Sequence, residues 1–592
     1  MNRSKLGWIN CVFALSFCST QCFGQAGRAE LFGTIRDPMG LAVPGAKVEA
    51  ESQDTKLRYP ATSNEQGEYH LLGLPAGTYT LAVEAKGFRT LHQSGVTLRI
   101  GDRTQLSPKL LVGEANDSVE VIAQAPLLQT ASGAVTYSVD QTKIVNLPLD
   151  GRNFIPLVAL SPGVALPGGG NLLPRINGSR PRTSEYLYDG ISVLQPEPGQ
   201  VAYYPIIDGI EEFKLNINAY SPEYGRSNGG TIMVIGKSGG NQFHGTAFEF
   251  FRNEDLNARN FFAQPGPNPE FRRNQYGLTV GGPIQKNKTF FFADWQGTRL
   301  RTGITRFSTV PTDAQRNGIF TSAIKDPSTN FQTTFRNNTI PQTQFDPIAK
   351  QILVHYPHAN LPGTANNFVR TAVEPDNQDE VDGRIDRYIS DRHRVFVRYT
   401  HFQDDDTPVT PLPDGSGAIS SGVTGHALTH ADAISSEYDW TVSPTTLNQA
   451  RFGYSRRSLN QTSLQNGDIT VPGLPANSFS SVLPTFLVAG FQQIGPSTGA
   501  NSDFTTSVTE ALDTFSIVRG RHTIKFGMDL RREALDVINP PNPTGGFTFN
   551  TSGTGNAIAS LLLGQVNAFT IDIQKQLLQE RARIAEFFVG DE

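Results

Sequence analysis

Apolar and polar residues alternate along much of the chain after residue 241, as they do in a β-strand with one apolar and one polar face. Ile434 and Tyr438 fall on one face of such a segment, while Glu437 and Asp439 fall on the other. The same alternation is found in residues 246–252, 450–455 and 523–531. Strands of this kind suit a transmembrane barrel with a water-filled lumen, and a soluble β-sandwich gives the same pattern.

Short apolar segments separated by turn residues fill the region between Glu30 and Val112. The predicted strands are residues 31–36, 46–51, 68–72 and 78–84. Residues rich in Gly, Pro and Asn stand between them, at 37–40, 64–67 and 75–77. Strands at this spacing with turns between them predict a small β-sandwich.

Length and charge narrow the class of protein. A chain of 592 residues is longer than the roughly 100–200 residues of one domain, so three or more domains are expected. Lys and Arg total 50 and Asp and Glu total 55, which gives a formal net charge of −5. A nucleic-acid-binding protein needs a basic surface, so no nucleic-acid partner is expected.

Residues 1–26 have the pattern of a secretory signal peptide. Arg3 and Lys5 precede an apolar run at residues 6–17, and cleavage is expected near the small residues Gly24 or Ala26. The apolar run is too short to span a bilayer, which makes a membrane anchor the weaker interpretation.

All the cysteines of the chain, Cys11, Cys18 and Cys22, lie within this segment. A lipoprotein signal ending at Cys18 is an alternative, although the bulky Phe17 stands where a small residue is expected. Cleavage near residue 26 would leave a mature chain without disulfides, thiol catalysis or cysteine-bound zinc.

Several motifs in the first domain occur together and in order. They are residues 33–37, 43–48, 67–69, 74–79 and 87–88. Through them, residues 29–112 resemble the carboxypeptidase-regulatory-like domain family. The resemblance implies a transthyretin-like β-sandwich with no catalytic residues of its own, which serves either as a rigid spacer or as a carbohydrate-binding site.

A short extended segment follows, consisting of Asp117, Ser118, Val119, Glu120, Val121, Ile122 and Ala123. An acidic residue followed by β-branched residues resembles the TonB box of outer-membrane receptors. Such a box pairs edge-on with a strand of a periplasmic partner, and β-prone residues suit this pairing. The alternative interpretation is the first strand of the next domain.

Residues 117–240 contain a second ordered set of motifs. They are residues 147–154, 160–164, 176–180, 188–191, 210–214 and 220–230. The set resembles the plug domain of TonB-dependent receptors, in the subfamily that also carries the preceding β-sandwich. This resemblance implies an α+β domain.

A third set of motifs extends across residues 241–592, beginning at the junction with the preceding domain. It comprises residues 237–245, 281–284, 288–292, 382–386 and 522–527. These resemble the outer-membrane barrels called Oar-like and imply a transmembrane antiparallel β-barrel. Polar stretches at 302–375, 403–429 and 456–507 are expected to be long extracellular loops, the first of them long enough to contain small elements.

The expected barrel is incomplete. The pattern gives ten to twelve strands, whereas barrels that hold a plug have about 22. Half a barrel would leave unpaired backbone groups in lipid, at a cost of several kcal/mol per group. We therefore expect the chain to be a fragment of a longer protein. Residues 574–588 show some helical periodicity, but their position in the family pattern is a strand.

No motif makes a convincing catalytic or metal site, and no enzyme activity, cofactor or metal is expected. Residues 225–229 fit the G-x-S-x-G pattern around Ser227 without the strand that a nucleophile elbow needs. Residues 230–238 resemble a phosphate-binding loop but contain an apolar strand. Three weaker candidates are the pairs His355/His358 and His426/His430 and the run Asp404-Asp405-Asp406, for which a solvated acidic loop is the preferred interpretation.

Together these resemblances imply a TonB-dependent outer-membrane receptor that imports an unidentified ligand. Its expected partners are a TonB-like energy-transducing protein, outer-membrane lipid, and an extracellular small ligand, peptide or glycan. Energy would come from the inner-membrane proton gradient through the TonB-like partner. The alternative is a surface or secreted protein whose β-sandwich binds carbohydrate without transport.

Overall fold

The computed structural model describes eleven segments of the chain: residues 28–113, 118–122, 135–166, 173–196, 199–218, 221–258, 268–419, 423–465, 483–520, 522–572 and 576–591. The predicted signal peptide and its cysteines lie outside the described residues. In the described segments, no helix has both the length and the apolar composition that crossing a membrane requires. The fold is mainly β, as the sequence predicts.

The first domain is the predicted β-sandwich. Its strands are β1 (Ala29–Thr34), β2 (Lys47–Ser52), β3 (Arg58–Thr62), β4 (Glu68–Leu74), β5 (Gly77–Glu84), β6 (Thr90–Leu98), β7 (Arg103–Gln105) and β8 (Ser118–Ile122). One sheet has the order β4-β1-β7 and the other β3-β2-β5-β6-β8. Side chains such as Leu31, Val48 and Leu81 fill the core between the two sheets. Pro60 is tolerated in β3 because β3 is an edge strand.

The middle domain combines a mixed sheet with short helices, in agreement with the predicted α+β class. Its strands are β9 (Val135–Asp140), β10 (Val164–Ala165), β11 (Arg175–Ile176), β12 (Glu185–Tyr188), β13 (Ile191–Ser192), β14 (Leu194–Gln195), β15 (Gln200–Val201), β16 (Ile210–Asn218) and β17 (Thr231–Gly236). Helices α1 (Gln141–Asn146) and α2 (Ile155–Val158) and a 3-10 turn (Ile207–Gly209) cover its sheet, which has the order β13-β12-β17-β16-β9. The Asp140 side chain caps α1 by accepting from the backbone N–H of Lys143.

Ten of the described strands form one large antiparallel sheet. They are β18 (His244–Asn253), β19 (Phe271–Gln285), β20 (Thr289–Ser308), β21 (Phe368–Ser390), β22 (His393–Asp406), β23 (His426–Ser443), β24 (Thr446–Thr462), β26 (Ser502–Arg519), β27 (His522–Ile538) and β30 (Leu578–Asp591). Neighbours in sequence are neighbours in the sheet, as in an up-and-down barrel. The helical periodicity near residue 580 is misleading, because that segment is the strand β30.

The two faces of this sheet differ in polarity, as the period-two pattern predicts. Charged side chains such as Glu437, Asp439 and Arg451 are buried on the inner face. Apolar side chains such as Phe452 and Leu530 are exposed on the outer face. A soluble sandwich would bury its apolar face instead, so this sheet is built for an apolar surrounding outside and a polar content inside.

The long connections fold into a lobe at one end of the sheet. Its elements are α3 (Asp313–Arg316), α4 (Pro347–His355), α5 (Ala557–Leu562), β25 (Thr485–Val488), β28 (Gly546–Phe549), β29 (Ala568–Thr570) and 3-10 turns at Glu254–Leu256, Pro327–Thr329, Arg336–Asn338 and Gln342–Gln344. Most of these elements share one apolar core that contains Phe335, Ile352 and Leu561. The predicted loop limits are wrong by several residues, because the strands continue beyond them by cross-strand pairing to Ser308, Asp406 and Thr462.

Candidate functional site

The middle domain lies against the polar inner face of the large sheet, and one tight turn makes the central contact. Tyr188-Asp189-Gly190-Ile191 joins β12 to β13, with φ of 49° at Asp189 and 80° at Gly190. Positive φ at both central residues is typical of a two-residue hairpin turn, for which Asp-Gly is a preferred sequence. The turn points the Asp189 carboxylate toward the wall of the sheet.

Arg398 of β22 binds the Asp189 carboxylate. Its Nε donates to Asp189 Oδ2 at 2.6 Å, and its Nη2 donates to the backbone oxygen of Lys237 at 3.0 Å. Its third nitrogen, Nη1, donates to Asp382 of β21, which also accepts from the Tyr188 hydroxyl at 2.9 Å. Only 1% of Arg398 is exposed. One buried guanidinium therefore joins a turn of the middle domain to two strands of the sheet.

A second arginine completes this cluster. Arg384 lies 3.3 Å from Asp189 and donates to Asp386 at 2.8 Å. Burial by itself raises the pKa of the Asp189 carboxyl, but Arg398 and Arg384 outweigh it and hold that pKa below the usual value. We call Asp189, Asp382, Asp386, Arg384 and Arg398 the central ion cluster. It holds buried charge on both sides of the contact between the domains.

The middle domain also contacts the strands near β30. The backbone N–H of Ser192 donates to Glu510 at 2.9 Å, and Glu510 is paired with Arg531. Gln195 donates to the Ser455 hydroxyl at 3.2 Å. Beside these contacts lies a cavity of about 390 Å³, lined by Glu223, Tyr224 and Arg226 of the middle domain and by inner-face residues of β24, β26, β27 and β30. This side of the interface is polar but not fully packed.

The first domain closes the end of the sheet opposite the lobe. Arg28 lies 2.7 Å from Glu437 and 2.9 Å from Asp439, both on β23. The backbone N–H of Asn241 donates to the backbone oxygen of Asp54 at 3.1 Å. Between the three domains is a chamber of about 1020 Å³. Its lining includes Tyr59 of the first domain, Lys237 of the middle domain and Tyr388 of the sheet.

Ile100 fastens the first domain to the middle domain. Its side chain is fully buried and packs with Leu187 and Met233. Its backbone N–H donates to Glu212 Oε2 at 3.1 Å, and its backbone oxygen accepts from Lys214 Nζ at 2.6 Å. Lys214 also lies 3.5 Å from Asp102. We call these five side chains together with Asp102 the docking contact.

The docking contact should weaken as the pH rises. Burial, with a smaller contribution from the nearby Asp102 carboxylate, raises the pKa of Glu212 to about 7, although the hydrogen bond from the Ile100 N–H and the charge of Lys214 oppose the rise. The docked state therefore binds a proton that a hydrated Glu212 releases above its usual pKa of 4.5. Stability of the contact is greatest at low pH and falls by up to about 3 kcal/mol as the pH rises through 7. Hydrogen-exchange protection of the Ile100 amide, corrected for the intrinsic rate, measures this change.

The matched control is Glu212→Gln, whose amide oxygen accepts the same hydrogen bond without a titrating proton. Protection in this variant should not change between about pH 5 and pH 8. An equal loss of protection in the variant and the original chain would show that another group causes it.

The predicted TonB-box segment is only partly described. Ser118–Ile122 form β8, which pairs in parallel with β6, Val119 opposite Leu91. Asp117 and Ala123 lie outside the described residues. The alternative that this segment is the first strand of the next domain is wrong, because β8 extends the sheet of the first domain. β8 is an edge strand of that sheet among the described residues.

The weaker candidate sites are structural. The Ser227 hydroxyl accepts from the backbone N–H of Gly230 at 2.8 Å within a turn. His355 is paired with Asp414, His358 with Asp313 and His426 with Asp405. Within the described segments, no group of three or more His, Cys, Asp or Glu side chains is arranged to hold a metal.

The sequence predicts a solvated acidic loop at residues 404–406. This prediction is wrong, because these residues form the end of β22. Strand alternation turns Asp405 to the opposite face from Asp404 and Asp406, since successive side chains of a strand point to opposite sides. Asp405 there pairs with His426 at 2.8 Å. The three carboxylates therefore do not converge on one point.

The sequence motifs at residues 188–191 and 382–386 contain four members of the central ion cluster, but neither their contact with one another nor the docking contact was predicted. Asp382, Arg384 and Asp386 stand at alternate positions of one strand, and this spacing indicates that their side chains share one charged face. Nothing in the sequence indicates that Arg398 meets Asp189, which is 209 residues away.

Solved structures of outer-membrane proteins resemble the chain at low sequence identity. The outer membrane transporter YddB from Escherichia coli is 14% identical with a TM-score of 0.46, covering 77% of this chain and 54% of that chain. The ferric enterobactin receptor PfeA from Pseudomonas aeruginosa is 13% identical with a TM-score of 0.42, covering 77% and 54%.

A curated relative matches part of the chain. The TonB-dependent transporter Oar of Myxococcus xanthus is 29% identical over 303 residues, which are 48% of this chain and 28% of that protein. The match therefore spans less than a third of the relative's length.

Two family models match consecutive parts of the chain. The carboxypeptidase regulatory-like domain matches residues 30–111, the β-sandwich of the first domain. The outer membrane beta barrel domain matches residues 235–592, from the end of β17 through β30 and more than half of the chain. With its apolar outer face and charged inner face, the chain belongs to the outer membrane beta barrel domain family.

Proposed function

We propose that the chain is a TonB-dependent outer-membrane receptor that imports an extracellular ligand with energy from a TonB-like partner. The observation that carries the proposal is the middle domain held against the polar inner wall of the barrel sheet by the central ion cluster. A domain in that position obstructs the lumen and acts as a plug. The name of the Myxococcus relative supports the same assignment.

The direction of transport follows from the two ends of the sheet. Outer-membrane barrels have short periplasmic turns and long extracellular loops. The described strands β19 and β20, β21 and β22, β23 and β24, and β26 and β27 are joined by connections of only two or three residues. The lobe is therefore extracellular and the first domain periplasmic. Ligand docks on the lobe and the upper plug, and the plug rearranges to release it into the chamber on the periplasmic side.

The TonB-like partner acts on residues 117–123. β8 already has the extended backbone that strand addition needs, and its outer edge is unpaired among the described residues. An unpaired edge is a template for another strand. The connection from β8 leads to β9, an edge strand of the plug sheet, so force applied at β8 reaches the plug directly.

No catalytic step is part of this proposal, and the ligand is an extracellular small molecule, peptide or glycan. A released carbohydrate-binding protein is the poorer alternative, because residues 235–592 belong to an outer-membrane barrel family. Glycan recognition by the first domain stays a prediction.

Val119→Pro tests the proposal. Proline removes a backbone donor from β8 and cannot join the centre of a sheet. Binding of the purified periplasmic domain of the bacterium's own TonB-like protein should weaken by roughly tenfold or more, since strand addition depends on main-chain hydrogen bonds. Isothermal titration calorimetry measures the affinity.

Val119→Ala is the matched control, because it shortens the side chain and keeps the backbone donor. It should bind the partner domain as the original chain does. Circular dichroism checks that the sandwich remains folded in both variants. Unchanged binding by folded Val119→Pro would remove residues 117–123 as the partner site.

A further inference from the structure

The outer face of the barrel has a sharp change in chemistry near its extracellular end. On β27 and β30 the outward residues Leu530, Ala585 and Phe587 are apolar and exposed, Leu530 by 40% and Phe587 by 75%. Two residues farther toward the lobe on the same face, Leu530 is followed by Arg532. The apolar belt that faces lipid therefore ends at an arginine.

Four exposed arginines lie just beyond this belt. They are Arg456, Arg532, Arg581 and Arg583, which we call the arginine patch. Arg532 and Arg583 stand directly opposite each other on β27 and β30. A second row of facing residues crosses the adjacent strands β24, β26, β27 and β30. It consists of Arg456, Ser507, Ala534 and Arg581, in that order. Adjacent strands are about 4.8 Å apart, so Arg456 and Arg581, which are three strand spacings apart, lie roughly 14 Å from each other, and the facing pair Arg532 and Arg583 forms the densest part of the patch.

The chain around the patch balances its charge only in part. Asp536 accepts from Arg581 at 2.6 Å and from Gln579 at 2.9 Å. Asp432 of β23 stands directly opposite Arg456 and accepts from the Tyr399 hydroxyl at 2.7 Å. Like charges directly opposite each other in a sheet destabilise it. Arg532 and Arg583 are such a pair, and an anion between them would remove the repulsion.

We propose that the arginine patch binds the phosphate groups of a phosphorylated glycolipid of the outer leaflet. Guanidinium groups match phosphate oxygens with paired, charge-assisted hydrogen bonds. The patch lies at the top of the apolar belt, so a lipid with its acyl chains along Phe587 and Leu530 places its headgroup at the arginines. Ser507 and Thr509, outward residues of β26 between Arg456 and Arg532, add hydroxyl donors.

This inference depends on the outer-membrane location of the barrel and not on the proposed transport. A chain that failed to bind a TonB-like partner would still present the arginine patch to the outer leaflet.

The test measures binding of lipopolysaccharide to the purified full chain in detergent micelles by native mass spectrometry. The chain should retain lipopolysaccharide, and lipopolysaccharide stripped of its phosphates should bind at least roughly tenfold more weakly. Arg532→Gln combined with Arg583→Gln should cause a similar loss for the intact lipid. Arg583→Gln alone, at an exposed position of β30, provides the test if the double variant does not fold.

Arg272→Gln is the matched control, since Arg272 is an exposed arginine of β19 that Glu254 and Glu270 already neutralise. It should keep its affinity for lipopolysaccharide. The proposal is overturned if the patch variants bind as tightly as the original chain, if Arg272→Gln loses as much affinity, or if phosphate removal has no effect. Displacement of the lipid by millimolar inorganic phosphate would instead assign the patch to free phosphate.

Discussion

Arg398→Met should release the middle domain from the inner face of the large sheet. The substitution leaves Asp189 and Asp382 buried without the guanidinium that they share. Removing one partner of a buried ion pair costs about 3–5 kcal/mol, because an uncompensated charge remains in a site of low polarity. Protease cleavage within residues 135–236 should therefore begin at a lower temperature or denaturant concentration than in the original chain.

Arg299→Met is the control for this prediction. Arg299 pairs with Asp379 at 2.7 Å, but 33% and 43% of these side chains are exposed. Exposed pairs contribute about 0–1 kcal/mol, so this variant should resist proteolysis like the original chain. Equal sensitivity of the two variants would contradict a special role for the central ion cluster.

Neutralising the carboxylates should restore part of the loss in Arg398→Met. Adding Asp189→Asn and Asp382→Asn removes the stranded charges while keeping hydrogen-bonding atoms. Because the three residues form one network, the combined effect should be smaller than the sum of the single effects.

Ile100→Ala should undock the first domain and open the chamber between the three domains. The Ile100 side chain is fully buried between two domains, and truncating such a residue to alanine costs about 2–5 kcal/mol. All three cysteines lie within the predicted signal peptide, so the predicted mature chain has none. The accessibility of a single cysteine introduced by Lys237→Cys therefore measures how open the chamber is, because Lys237 lines it. A maleimide carrying a bulky polymer should label Cys at this position much faster in the Ile100→Ala background.

Leu41→Ala gives the comparison, because Leu41 is 64% exposed on the first domain. Labelling in that background should remain slow, while a small maleimide should label all three proteins. If the bulky reagent already labels the Lys237→Cys chain rapidly, the first domain does not close the chamber.

The predicted fold class, mainly β, was confirmed. It could be predicted because it depends on local patterns of apolar and polar residues. Alternation at Ile434–Asp439 and its equivalents is visible without any partner, and the two faces of the sheet follow it. Strands were missed where the local pattern is weak. β3 contains Pro60 and was overlooked, although the edge of a sheet tolerates a proline.

Boundaries and clusters were less predictable for a physical reason. The ends of β20 and β21 are set by pairing between Ser308 and Phe368, sixty residues apart in sequence, and not by the polar composition that suggested a loop. The run at residues 404–406 appeared as one acidic group, but its position in β22 separates Asp405 from the other two carboxylates.

By itself the sequence determined the sandwich and the alternating strands of the barrel, because strand periodicity depends on neighbouring residues. Only the tertiary structure decided that Asp189 meets Arg398, that Ile100 fastens the first domain to the plug, and that Arg532 faces Arg583. These contacts join residues far apart in the chain, and their partners are fixed by sheet register and domain docking, which local patterns do not encode.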